Sequence, residues 1–80
     1  VPDDQTMASS FNYLGISERK QGAFKIALKH HFKALNNHIK PSEIGKTYLL
    51  MAKTWGQSKN SVKAIECLEQ ALQVPDLNLQ

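Results

Sequence analysis

Between Tyr13 and Asn37 runs the stretch YLGISERKQGAFKIALKHHFKALNN, and it leaves few options for the chain. Gly22 interrupts two segments of helical periodicity at a point where the chain must reverse, and glycine accepts positive φ without steric cost. Small residues at Gly15, Ala27 and Ala34 let two backbones approach closely, while Leu14, Phe24, Leu28 and Leu35 fill the space between them. The pattern predicts a helix, a tight turn at Gln21-Gly22, and a second, antiparallel helix from about Ala23 to Asn37. The apolar stripe of the second helix is Phe24, Ala27, Leu28, His31, Ala34 and Leu35, at three- and four-residue steps. The first helix is expected to start near Pro2, with Asp3 and Asp4 at its positive dipole end. Met7, Phe11, Leu14 and Glu18 follow helical spacing along it.

The second half of the chain repeats the first. A shift of thirty-seven residues lays Tyr13–Asn37 on Leu50–Val74. Leu14 then falls on Met51, Gly15 on Ala52, Ala27 on Ala64 and Leu28 on Ile65. His31 falls on Leu68, Ala34 on Ala71 and Leu35 on Leu72. Pro41 prevents continuation of the second helix, and Ser42 is the expected N-cap of a third, with Glu43 in its first turn. That helix carries Ile44, Tyr48, Met51, Ala52 and Trp55 and ends near Gly56-Gln57. After a polar loop, Ser58-Lys59-Asn60, Asn60 is the expected N-cap of a fourth helix from about Ser61 to Val74. Its inward residues are expected to be Val62, Ile65, Leu68, Ala71 and Leu72. Pro75 stops it, leaving a tail, 76–80, in which Leu77 and Leu79 are available to pack back.

Leu14-Gly15, Gly22, Phe24, Ala27 and Ala34-Leu35 stand at the mutual spacings of the tetratricopeptide repeat, which this chain resembles. Phe11 takes the usual Trp position, Glu18 the usual Tyr position and His31 the bulky position, and the closing Pro is displaced to Pro41. In the second copy Trp55 restores the aromatic that Glu18 replaces, while Lys59 and Ser61 stand where the turn has Gly and an aromatic. The resemblance implies an all-α fold: two antiparallel helical hairpins, four helices in all, stacked as a short right-handed solenoid. It sets repeat 1 at about 8–41 and repeat 2 at about 42–75 within one domain, 1–80.

The resemblance also implies a concave groove lined by the first helix of each repeat and able to hold an extended peptide. Mapped onto this chain, those positions are Ser9, Asn12, Ile16, Arg19 and Lys20 from the first repeat. From the second they are Lys46, Leu49, Leu50, Lys53 and Gln57. Asn12, Arg19, Lys46 and Lys53 would make the groove polar and net positive beside apolar Ile16, Leu49 and Leu50, a match for an acidic or C-terminal carboxylate. The chaperone-tail carboxylate clamp of the family uses a Lys and an Asn in its first repeat, where this chain has Asn12 and Ile16. That departure argues against the clamp.

Other chemistry finds little footing. The formal net charge of +3 is mild for an 80-residue chain and below the density of a dedicated nucleic-acid binder. Lys25, Lys29 and Lys33 recur every four residues and, with Lys63, form an outward stripe. A solvated face is the plainer reading of it than a nucleic-acid contact, since Phe32 is the one interleaved aromatic. Adjacent His30 and His31 point about 100° apart on a helix, so they do not converge on a metal, and His38 lies beyond the helix end. HExxH, a Gly-rich phosphate loop and Gly-x-Ser-x-Gly are all missing from the sequence. Neither enzymatic activity nor a cofactor is therefore expected. The single cysteine, Cys67, reads as a small apolar filler in a reducing compartment. With no signal-peptide pattern or membrane-length apolar run in this sequence, an intracellular, cytoplasmic protein is expected.

Two repeats are fewer than the three or so a stacked array needs, so the chain is expected to be a piece of a longer protein or to be completed by something else. Three functional readings follow. The first is a non-catalytic module that holds a protein or peptide, preferably acidic, in the groove. The second is a scaffold that self-associates through its open helical ends into a homo-oligomer. The third is a regulatory domain of a signalling or transcription protein.

Overall fold

The computed structural model describes residues 4–37 and 40–74. Four helices make up the described chain: α1 (Asp4–Lys20), α2 (Phe24–Asn37), α3 (Pro41–Gln57) and α4 (Ser61–Leu72). There is no strand among the described residues. Among the described residues, no helix is long and apolar enough to cross a membrane. α1 lies along α2 and α3 along α4, while α2 packs on α3 and joins the two pairs. Cross-links Asn12–Thr47 and Arg19–Gln57 span 35 and 38 residues, so α1 and α3 run in the same direction.

The two reversals are built alike. At the first, Ala23 N–H donates to the Glu18 carbonyl at 2.9 Å and Gly22 N–H to Arg19 at 3.0 Å. Thirty-seven residues later, Asn60 N–H donates to Trp55 at 2.9 Å and Lys59 N–H to Gly56 at 3.1 Å. Both are six-to-one and five-to-two bonds that close a helix end around one left-handed residue. Gly22 holds that position at φ 84°, and Lys59 holds it at φ 66° without being glycine. After the second reversal, Asn60 Oδ1 accepts from Lys63 N–H at 3.1 Å, the cap expected there.

The interior is small and partly polar. Leu28, Met51, Ala52 and Cys67 form the apolar centre, with Leu35, Tyr48 and Trp55 packed against it. His31, Thr47 and Thr54 are sealed among them. Each threonine hydroxyl donates to the carbonyl one turn back, Thr47 to Glu43 at 3.0 Å and Thr54 to Leu50 at 2.9 Å, so burial leaves neither donor orphaned.

Several sequence expectations need correction. The buried stripe of α1 is Ala8, Asn12, Gly15 and Arg19, one residue on from the expected line, and Met7 and Leu14 are exposed. The reason is the close approach of α2: a Cβ on Gly15 would stand 2.6 Å from the His31 ring. At Gly15 the two helices leave no room for a side chain. The N-cap of α3 is Lys40, with extended φ −89° and ψ 126°, and not Ser42. Pro41 at the first helical position holds its predecessor extended and has φ already set for the helix. α4 ends at Leu72, and its buried residues are Cys67 and Ala71. Val62, Ile65, Leu68 and Leu72, expected inward, are exposed by 43–68%. Nothing among the described elements lies on that side of α4. The Pro2 helix start, His38 and the tail 76–80 lie outside the described residues.

Candidate partner-binding cleft

An open cleft of about 200 Å³ lies between α1 and α3, lined by Ser9, Asn12, Tyr13, Ile16, Glu43, Lys46 and Leu50. It brings together five of the residues that the sequence placed in a groove: Ser9, Asn12, Ile16, Lys46 and Leu50. Arg19 and Gln57 meet one to two turns further along, where Arg19 Nη1 donates to Gln57 Oε1 at 3.2 Å. Lys20 and Lys53 are exposed at that end, and Leu49 is half-buried without lining the cleft.

Two of the groove residues have roles other than those expected. Asn12 is expected from the sequence to lend the groove polarity. It is instead buried and committed inside the fold: its Nδ2 donates to Thr47 Oγ1 at 2.8 Å, and its Oδ1 lies 2.8 Å from His31 Nδ1. A neutral His31 with its proton on Nδ1 donates to that oxygen. The line His31–Asn12–Thr47–Glu43 carbonyl thus ties α2, α1 and α3 together. Lys46 does not stand as an uncompensated cation, because Glu43 Oε1 lies 3.4 Å from its Nζ. The positive character of the cleft therefore gathers at the Arg19 end. Tyr13 and Glu43 line the cleft and were not expected there. Their neighbours across α1 and α3 are set by tertiary packing, which leaves no local trace in the sequence.

Burial governs the protonation of the interior. His31 is fully sealed, and its pKa falls to about 4, first because burial disfavours the charged ring and then because of the Arg19 charge. The nearby Glu18 opposes that shift, and His30 adds to it. His31 Nε2 has no hydrogen-bond partner. His30 faces elsewhere: its Nδ1 is 2.7 Å from Glu18 Oε1, and its ring stacks on Phe11 at a centroid distance of 5.9 Å. The two adjacent histidines therefore serve separate contacts. Among the described residues, no group of three His, Cys, Asp or Glu side chains is placed to hold a metal.

The lysine stripe of α2 is solvent-exposed at Lys25, Lys29 and Lys33, and Lys33 Nζ sits 5.6 Å over the Phe11 ring. Lys63, on α4, pairs loosely with Glu66 at 3.8 Å.

A second opening, of about 270 Å³, lies between α2, α3 and α4. Phe32, Tyr48, Met51, Trp55 and Cys67 give it an aromatic and apolar wall. The sequence did not point to it, because Phe32 comes from one hairpin and the rest from the other. Burial raises the pKa of the Cys67 thiol, with Glu66 adding to the rise, so the thiol stays protonated near neutrality.

No family model matches the chain, and no curated protein or solved structure matches it either.

Proposed function

We propose that this chain is a non-catalytic protein-interaction module of the tetratricopeptide type. In this reading its two hairpins stack with a right-handed sense and a partner segment lies between α1 and α3. The observation that carries the reading is the convergence of Ser9, Asn12, Ile16, Lys46 and Leu50 on one open cleft. The likeness of the two reversals, thirty-seven residues apart and closed by the same bonds, supports the repeat arrangement. Ile16 and Leu50 offer apolar contact, and the exposed Lys53 and Lys20 give the cleft an acid-seeking end.

The test is selection of peptide ligands from a displayed random library against the intact chain. Selected peptides should compete with one another. They should lose binding when Leu50→Asp or Lys53→Glu is introduced and keep it when the distant Val62→Asp is introduced. Ligands indifferent to the cleft substitutions, or a selection that yields none, would overturn the reading.

One observation favours a second reading, assembly through the open end of the fold. Ile65 and Leu72 stand thirty-seven residues after Leu28 and Leu35, the residues by which α2 packs on α3, yet they are 56% and 65% exposed. A face equivalent to an internal packing face is suited to another helical hairpin. Sedimentation equilibrium decides it: a mass that rises with concentration and returns to monomer in Leu72→Asp supports assembly, and a concentration-independent monomer excludes it.

A further inference from the structure

We infer that Arg19 is the anion anchor of the cleft: its guanidinium receives a carboxylate of the segment bound between α1 and α3. The inference rests on the reading of that cleft as a partner site and names the chemistry its partner must bring.

The starting point is a charge without a counter-charge. Arg19 is only 8% exposed. A guanidinium carries a permanent positive charge, and a charge withdrawn from water is destabilising unless it is paired and hydrogen-bonded. Among the described residues, the one acceptor Arg19 has is a neutral amide oxygen, Gln57 Oε1, at 3.2 Å. Its Nε is sealed and bonds to nothing. Nη2 makes no bond among the described residues and is not one of the sealed atoms, so it is the open corner of the group. Nη1 is held by Gln57, whereas Nε and Nη2 together form the side-on edge that meets the two oxygens of a carboxylate.

Among the described residues, no acid is placed to satisfy it. Glu18, next in sequence, is 2.7 Å from His30. Glu43 lies at the far end of the cleft and pairs with Lys46. The last-turn carbonyls of α1 favour a cation there, but that interaction is weak and does not replace a counter-charge. On α3, the exposed Lys53 stands one turn before Gln57, on the same face of the helix. A carboxylate entering here meets one preoriented guanidinium held by Gln57, with the Lys53 ammonium one turn along α3. Nη2 makes the first contact, and Nε joins it through the side-chain adjustment that interfaces commonly show. One turn from Arg19 along α1, Ile16 lies beside the aliphatic part of the same segment, with Leu50 opposite it.

Two carboxylates have this chemistry, a chain terminus and an acidic side chain, and three probes separate them. These are acetyl-Ala-Leu-Ala with a free terminal carboxylate, the same peptide as its amide, and acetyl-Ala-Glu-Leu as its amide. Each is titrated into the isotope-labelled intact chain while the Arg19 Nε–H and Gln57 side-chain NH₂ resonances are followed. A saturating shift, with a Kd of about 1 mM for so short a ligand, is expected with at least one carboxylate peptide. A response to the free terminus alone identifies a terminal carboxylate, and a response to the Glu peptide identifies a side chain. The neutral amide should bind at least about tenfold more weakly, and Arg19→Gln should abolish that preference. Arg19→Lys should restore part of it. Arg19→Gln removes a buried charge, so its folding is expected to be intact, as circular dichroism checks.

Equal response to charged and neutral peptides, or a carboxylate preference that survives in Arg19→Gln, overturns the inference. So does no saturable shift at Arg19 with any probe up to about 10 mM, roughly ten times the Kd expected. If shifts then appear at Ile16, Leu50 and Lys46 without regard to carboxylate, the cleft reading stands and the anchor falls. If a peptide selected from the library also leaves those residues unmoved, both fall.

Discussion

Acidification should unfold this protein through His31, and the size of the effect follows from its burial. The folded state holds the ring neutral to about pH 4, whereas in the unfolded chain it protonates at its ordinary value of 6.5. The sign is fixed by which state binds the proton. Above 6.5 both states are neutral and His31 adds no pH dependence. Below 6.5 the unfolded state gains a proton that the folded state refuses, so stability falls until the folded ring also protonates near 4. With each pH unit equivalent to 1.36 kcal/mol, the loss attributable to this ring is about 2 kcal/mol at pH 5 and about 3 kcal/mol at pH 4. Stabilities of small domains lie near 5–15 kcal/mol, so this is a large share. The assay is urea unfolding followed by the fluorescence of the single tryptophan, Trp55, at about pH 7 and about pH 5. Carboxylates also titrate in this range, so the comparison is with His31→Leu, which removes the ring and its bond to Asn12 Oδ1. That variant should be destabilised by about 1–3 kcal/mol at neutrality and should lose about 2 kcal/mol less than the parent between the two pH values. A parent equally stable at both, or a His31→Leu variant with an undiminished pH slope, would refute the reasoning.

Other outcomes are equally definite. Lys59→Gly should stabilise the chain by about 0.5–1 kcal/mol, because φ 66° strains a residue with a Cβ and glycine relieves it; thermal unfolding measures it, and a lower melting temperature would contradict the reading of that turn. Gly22→Ala should cost about 1 kcal/mol by the same argument in reverse, although open space surrounds the position. Gly15→Ala should cost about 1–3 kcal/mol, because its Cβ would stand 2.6 Å from a sealed imidazole that cannot retreat without breaking the bond to Asn12. Its signature in a proton–nitrogen spectrum is a displaced His31 ring resonance, and a ring left unmoved would mean that α1 yields instead.

How much of this was legible in the sequence depends on the range of the interactions involved. The helix α2, the end of α3, both reversals and the Asn60 cap follow from residues within a turn of one another, and they fall where the pattern puts them, whereas α3 starts earlier, with Lys40 and not Ser42 as its N-cap. The apolar stripe of α2 is also right, because α2 packs on helices of both hairpins and its whole stripe finds partners. The stripe of α4 is as regular, yet Val62, Ile65, Leu68 and Leu72 face outward. Periodicity says that a helix has an apolar face. It does not say that a neighbour exists to cover it. Of the residues expected in a groove, Ser9, Asn12, Ile16, Lys46 and Leu50 line one opening between α1 and α3, whereas the engagement of Asn12 and Lys46 within the fold has no local signal in the sequence.

By itself the sequence determined the local events: that four helices form, roughly where they lie, that Gly22 turns left-handed, and that the second half echoes the first. Those rest on backbone hydrogen bonds and side-chain spacings within a few residues. Only the tertiary structure decided which side chains lost their water and what they gained in exchange. His31, Asn12 and Thr47 come from three helices and have no shared signal along the chain, yet they join in one buried line of hydrogen bonds. Arg19 looks like any surface arginine in a helix's last turn until α1, α2 and α3 close around it. Desolvation belongs to the packed assembly of elements and not to any one of them, which is why a charge became a candidate site only when the helices came together.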